Sequence, residues 1–185
     1  MAGTTDGTRT VQVHQVSIRA TPEAIWEAIT RPEWAERYGY RTPVEYELRP
    51  GGTYKALASA EMKAMGSPDV AVEGTVIEVD PPRRLVQTWH PVWDAETSAE
   101  PVTRLTYEIE PGESGVTKLT VIHDVTDAPR VAAQVGGEIP GAGGGWSAQL
   151  GELRALLEAA GNSAAGSSAA GNGAVTPDGV QEAGR

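Results

Sequence analysis

The chain has 185 residues, with 25 Asp and Glu against 15 Lys and Arg for a net charge of -10, and it contains neither Cys nor Phe, so its aromatics are five Trp and five Tyr. Without Cys there is no disulfide, thiol nucleophile or Cys-ligated zinc, and the reducing cytoplasm is the expected compartment. The acidic balance, with no cluster of Lys and Arg, argues against nucleic acid as a partner, and no apolar run approaches the roughly 18 residues that membrane insertion needs.

At roughly 150 residues per domain, the length predicts one folded unit with something left over. Residues 1–9 are polar and read as a flexible start without a leader peptide. A first strand follows from Val11 to Ile18. In it His14, Val16 and Ile18 share one face and Val11 and Val13 the other, which suggests an irregularity or burial on both sides, with Val16 and Ile18 as core. Thr21 is a candidate N-cap and Pro22 fits the first helical position, so a helix is expected over residues 23–30, with Ile25, Trp26 and Ile29 on one face. Arg31-Pro32 ends it before a second short helical turn over residues 32–37.

From there the pattern is alternation. Val44, Tyr46 and Leu48 alternate with Glu45 and Glu47, and Pro50-Gly51-Gly52 turns the chain into a strand starting near Thr53. Residues 70–79 and 85–89 form a second pair about the turn Asp80-Pro81-Pro82. Thr103, Leu105, Tyr107 and Ile109 pair with Thr117, Leu119, Val121 and His123 about residues 111–115. Trp146, Leu150, Leu153 and Leu157 then recur at helical spacing on one face of a long last helix. Residues 161–185 are mostly Gly, Ala, Ser and Asn, too small and polar to offset their ordering entropy, and read as a disordered tail. The folded domain thus spans residues 10–160. Strands without intervening helices predict an α+β domain, an antiparallel sheet with helices on one face.

Alternation also assigns faces. If Leu85 and Trp89 point inward, so does Gln87; if Leu119 and Val121 do, so does His123. An inner face bearing Tyr46, Tyr54, Trp89, Tyr107 and His123, covered by a helix carrying Trp146, is apolar with polar tips that need partners. Such an interior suits a small-molecule cavity. Gln87 and His123 are read either as groups that orient a ligand or as hydrogen-bonded core. The pairs Glu45/Glu47 and Glu108/Glu110 fall on the opposite, solvated faces.

Chemistry-bearing motifs are few. His14, His90 and His123 have no metal-ligand spacing, and no metal is expected. No nucleophile elbow, phosphate loop or dinucleotide fingerprint is present, and no cofactor is expected. The Gly-rich residues 136–145 read as a connection that lets the last helix lie close to the sheet, or as a lid. Trp93-Asp94 occupies a loop, at a pocket rim or simply packed.

Several segments together resemble one family: Ile18-Arg19-Ala20-Thr21-Pro22-Glu23-Ala24-Ile25-Trp26, Leu48-Arg49-Pro50-Gly51-Gly52-Thr53-Tyr54, Gly74-Thr75-Val76-Ile77-Glu78-Val79-Asp80-Pro81-Pro82 through Trp89, Thr117 to His123, and Gly145-Trp146. They are similar, in this order, to the domain named for the activator of the heat-shock-protein-90 ATPase, of the START-like (SRPBCC, Bet v 1-like) superfamily. The resemblance implies a helix-grip fold, a curved antiparallel sheet of six to seven strands wrapped round a long C-terminal helix with a cavity between. Members include lipid and hormone binders, polyketide cyclases and co-chaperone domains. The chain leaves no room for the co-chaperone's separate N-terminal domain, so chaperone stimulation is not the leading expectation. The region of Met62 and Met65 falls where a longer loop would cross the cavity mouth.

The leading expectation is a carrier or sensor of a small hydrophobic or aromatic molecule, with Tyr46, Tyr54, Gln87, Trp89, Tyr107, His123 and Trp146 as ligand-binding residues. Two alternatives are a cyclase or hydratase on a polyketide-like substrate, with His123 as general acid or base, and a module that binds a chaperone or regulator.

Overall fold

The structure is a computed structural model that describes residues 9–140 and 143–170. Strand β1 (Val11–Ile18) leads to α1 (Pro22–Thr30) and α2 (Pro32–Ala35), followed by β2 (Val44–Tyr46), β3 (Thr53–Leu57), α3 (Ala60–Ala64), β4 (Val70–Asp80), β5 (Arg84–Pro91), α4 (Ala95–Ser98), β6 (Thr103–Pro111), β7 (Thr117–Asp124), α5 (Pro129–Gly136) and α6 (Gly145–Ala170). One seven-stranded antiparallel sheet has the order β1-β7-β6-β5-β4-β3-β2. This is the expected helix-grip arrangement.

The first two strands lie at opposite edges of that sheet, so the chain between them has to cross its whole width. Helices α1 and α2 make the crossing. The Thr21 hydroxyl accepts from the Ala24 N–H at 3.2 Å, Pro22 opens the first turn, and Ile25, Ala28 and Ile29 are buried beneath it. Helix α6 covers the same face, seating Trp146, Leu150, Leu153 and Leu157 against Ile18, Leu85, Leu105, Leu119 and Val121 of the sheet. Truncating any one of these buried leucines to Ala costs about 2–5 kcal/mol.

The structure differs from the sequence expectation in several places, beginning with the short helices α3, α4 and α5, which the strand pattern does not predict. The expected turn over residues 32–37 is present but helical only over Pro32–Ala35, and Arg37 closes it by donating from its N–H to the Trp34 carbonyl at 2.9 Å. Strand β2 stops at Tyr46 and leaves Leu48 41% exposed, because Glu47 ties the hairpin to Thr53: its N–H donates to the Thr53 carbonyl at 2.9 Å and its exposed carboxylate accepts from the Thr53 N–H at 3.2 Å. Strand β1 is neither irregular nor buried on both faces, since its register with β7 is unbroken and Val11 and Val13 stand exposed on the outer face. Finally, α6 is traced to Ala170, past residue 160, where the sequence pattern ends the domain. The rest of the expected tail, and residues 1–8 of the expected flexible start, lie outside the described residues.

The Gly-rich connection has a steric reason at two positions. Gly137 closes α5 at φ 81°, the left-handed conformation in which a helix often ends. Gly145, at φ 65°, opens α6 where a Cβ would stand 2.3 Å from the Val135 carbonyl oxygen. The start of α6 is thereby pressed against the end of α5. The other end of α5 is held by Glu100, whose carboxylate accepts from the N–H groups of Arg130 and Val131 at 2.8 and 2.9 Å.

Candidate functional site

Between the inner face of the sheet and α6 lies a chamber whose walls include Tyr38, Tyr46, Tyr54, Trp89, Tyr107 and Trp146. Of the seven site residues named from the sequence, the structure brings five to these walls: Tyr46, Tyr54, Trp89, Tyr107 and Trp146. Strand pairing explains the grouping. Tyr46 is directly opposite Tyr54 across β2 and β3, with ring centroids 4.6 Å apart. Trp146 descends from α6 to meet Tyr107 edge-on at 6.1 Å.

Gln87 and His123 point inward too, but neither is among the chamber's lining residues; both are completely buried behind them. His123 is bonded through both ring nitrogens. An indole nitrogen can only donate, so the Trp146 Nε1–H bond of 3.1 Å makes His123 Nδ1 the acceptor. Nε2 therefore carries the proton and donates to Thr103 Oγ1 at 2.8 Å, and that hydroxyl donates onward to the Trp89 carbonyl at 2.6 Å. Burial holds the His123 pKa down to about 3, outweighing the opposing pull of Asp124, so the ring is neutral near pH 7. A neutral ring with both nitrogens engaged by the protein is suited to bracing Trp89 and Trp146, not to exchanging protons with a substrate.

Gln87 is half-matched. Its Oε1 accepts from the Tyr46 hydroxyl at 2.9 Å, while Nε2 is buried without a partner among the described residues. Because a phenol can donate or accept, rotating the amide would only exchange which end is unmatched. The Tyr38 hydroxyl donates to the Ala28 carbonyl at 3.0 Å. Burial pushes the phenols of Tyr38, Tyr46, Tyr54 and Tyr107 well above their usual range, so all four stay protonated and uncharged. Arg41, at the rim and largely exposed, is the one charged side chain among the described lining residues.

The chamber is tight. Its void is about 100 Å³, against roughly 300–1,000 Å³ for pockets that enclose a drug-sized molecule. In this conformation its own aromatic rings fill most of the space.

The other residues singled out by sequence fall outside this chamber. Trp93 meets Trp89 edge-on at 6.0 Å, and Asp94 is the N-cap of α4, accepting from the Thr97 N–H at 2.7 Å. Met62 packs against the core from α3, while Met65 is 80% exposed. Glu47, Glu108 and Glu110 make surface ion pairs with Arg49, Arg84 and Lys118. Among the described residues no cluster of His, Asp and Glu could hold a metal ion, and no helix is long and apolar enough to cross a membrane. Tyr38 and Tyr40 are wall residues that sequence reasoning missed. The signal available was the triplet Tyr38-Gly39-Tyr40 in a segment with no regular pattern.

Comparison with known proteins agrees with this geometry. The family described as Activator of Hsp90 ATPase homolog 1-like protein matches residues 19–158. No curated protein matches the chain. Among solved structures, the chain is similar to protein MLL2253 from Mesorhizobium loti (TM-score 0.61, 19% identity, covering 81% of this chain and 98% of that one). It is also similar to protein NE0264 from Nitrosomonas europaea (TM-score 0.59, 20% identity, 82% and 96%) and to CalU16 from Micromonospora echinospora (TM-score 0.58, 18% identity, 86% and 83%). At these identities the likeness is one of fold.

Proposed function

The chain belongs to the Activator of Hsp90 ATPase homolog 1-like family, and from that premise we propose that it binds a small, uncharged, apolar or aromatic molecule between sheet and last helix, as a cytoplasmic carrier or sensor. The observation that carries this reading is the convergence of Tyr46, Tyr54, Trp89, Tyr107 and Trp146 on one chamber. A core that only had to be solid would more often use Phe and Leu, whose burial leaves no polar tip to satisfy. The Tyr46 hydroxyl, which lines the chamber and spends its proton on Gln87 Oε1, still has an oxygen free to accept one hydrogen bond from a ligand. The family often binds hydrophobic ligands, which agrees with the reading.

Turnover through His123 draws no support from its surroundings, which leave the ring neutral and both nitrogens engaged. The test is a titration with N-phenyl-1-naphthylamine and a panel of uncharged aromatics, followed by Trp fluorescence and thermal melting. Binding should quench emission from Trp89 and Trp146 and raise the melting temperature. Silence across the whole panel would remove the reading.

A further inference from the structure

A second cavity, of about 380 Å³, opens beside the aromatic chamber and is lined by Met62, Met65, Trp93 and Ala71. Four residues, Tyr40, Thr42, Ala56 and Val72, belong to the walls of both spaces. The inner space alone is too small for an aromatic ligand of ordinary size, whereas the two joined fall within the range of small-molecule pockets. Thr42, Ala56 and Val72 are short. Tyr40 is the long side chain of the partition, and at 38% exposure it is the one with room to move.

The backbone around Tyr40 is held in an unusual state. Gly39 and Arg41, on either side, both have left-handed φ, 60° and 55°, which for a non-glycine residue costs about 1–2 kcal/mol. The two covering helices hold it there. Glu152 of α6 accepts from the Gly39 N–H at 3.1 Å and pairs with the Arg41 guanidinium at 3.8 Å, and Gln134 of α5 donates to the Tyr40 hydroxyl at 2.8 Å. A strained segment kept in place by a few polar contacts is one that swings when those contacts are exchanged.

We propose that the two cavities are halves of one site for an uncharged molecule with an aromatic head and an alkyl tail, and that Tyr40 is the gate between them. This rests on the binding function proposed above and adds the shape of the ligand. The head enters the ring-lined chamber among the phenols of Tyr46, Tyr54 and Tyr107, and the tail lies along Met62, Met65 and Trp93. Unbranched thioether side chains accommodate tails of differing shape.

The experiment uses the full chain and the series phenol, 4-ethylphenol, 4-butylphenol and 4-hexylphenol, measured by calorimetry and by stopped-flow Trp fluorescence. Affinity should rise about fourfold per methylene as the tail fills the outer cavity. Met65→Ser, at a position too exposed to affect folding, should weaken 4-hexylphenol severalfold and leave phenol unchanged. Tyr40→Phe keeps the ring and removes the latch hydroxyl, and should speed association about threefold to tenfold, the worth of one net hydrogen bond. Melting curves of both variants check that they fold. Phenol binding with no gain from the tail, a tail gain indifferent to Met65→Ser, or an unaltered rate in Tyr40→Phe overturns this inference alone. No binding by any member of the series overturns it together with the reading it rests on.

Discussion

The indole of Trp146 donates to Nδ1 of His123 across 3.1 Å, and this one bond decides what kind of residue His123 is. It fixes the proton on Nε2, ties the last helix to β7, and passes through Thr103 to the backbone of Trp89. A completely buried imidazole in such a chain is a strut. His123→Ala should therefore leave a cavity and an unpaired Trp146 Nε1–H, costing about 3 kcal/mol and lowering the melting temperature by roughly 6–12 °C. An unchanged melting temperature would return His123 to the list of catalytic candidates.

The same ring gives the fold a pH dependence with a definite sign. Its pKa falls from the ordinary 6.5 to about 3 on folding, so below pH 6.5 the unfolded chain takes up a proton that the folded one refuses. The stabilisation is complete above pH 6.5 and is lost as the pH falls from 6.5 toward 3. Burial of His14 acts in the same direction. Asp94, Asp124 and Glu158, whose pKa values are lowered, add their own loss only as the pH falls through the carboxylate range. Between pH 7.5 and 5.0, urea unfolding should register a loss of about 2 kcal/mol from His123, and His123→Gln should remove most of it. A wild-type slope that persists in the variant would place the proton elsewhere.

The period of the strands made the sheet legible, and with it the inward direction of Leu119, Val121 and His123, because a side-chain repeat of two leaves only two faces to choose from. Direction is not depth. Nothing in alternation tells that Trp146 would lie over His123, or that Gln87 would sit behind Tyr46, since those relationships join residues 23 and 41 positions apart and depend on how the helix and the first hairpin settle on the sheet. Tyr38 and Tyr40 escaped for a different reason. They lie between α2 and β2, where the backbone follows no period and Arg41 adopts a conformation its residue type disfavours.

Tyr46 and Gln87 should show strong coupling. Tyr46→Phe alone strands the whole Gln87 amide in a dry interior and should cost about 1–3 kcal/mol. Adding Gln87→Leu removes the other partner along with its already unmatched Nε2, so the double variant should recover most of that loss. A thermodynamic cycle from chemical denaturation measures the coupling, expected at 1 kcal/mol or more. If the amide serves a ligand, the recovered double variant should still bind polar aromatics less tightly than the wild type. Strict additivity of the two substitutions would mean that the bond between them contributes nothing.

Gly145 tests whether the Gly-rich connection is a joint or a loose tether. A methyl group there would meet the Val135 carbonyl oxygen at 2.3 Å and the Gly137 nitrogen at 2.5 Å, both backbone atoms of the end of α5 that cannot step aside as a side chain could. Its φ of 65° adds about 1–2 kcal/mol for any residue with a Cβ. Gly145→Ala should therefore separate the start of α6 from α5 and cost more than about 2 kcal/mol. Trp146, the next residue, would move with it. The displaced indole should lose its bond to His123 and its edge-on contact with Tyr107, so a red shift in Trp emission should accompany the loss of stability. Gly151→Ala is the control, on the same helix with nothing within 4 Å of its added methyl, and better helix propensity should make it neutral or stabilising. Equal tolerance of both substitutions would show that the connection gives way freely and that the seat of Trp146 does not depend on it.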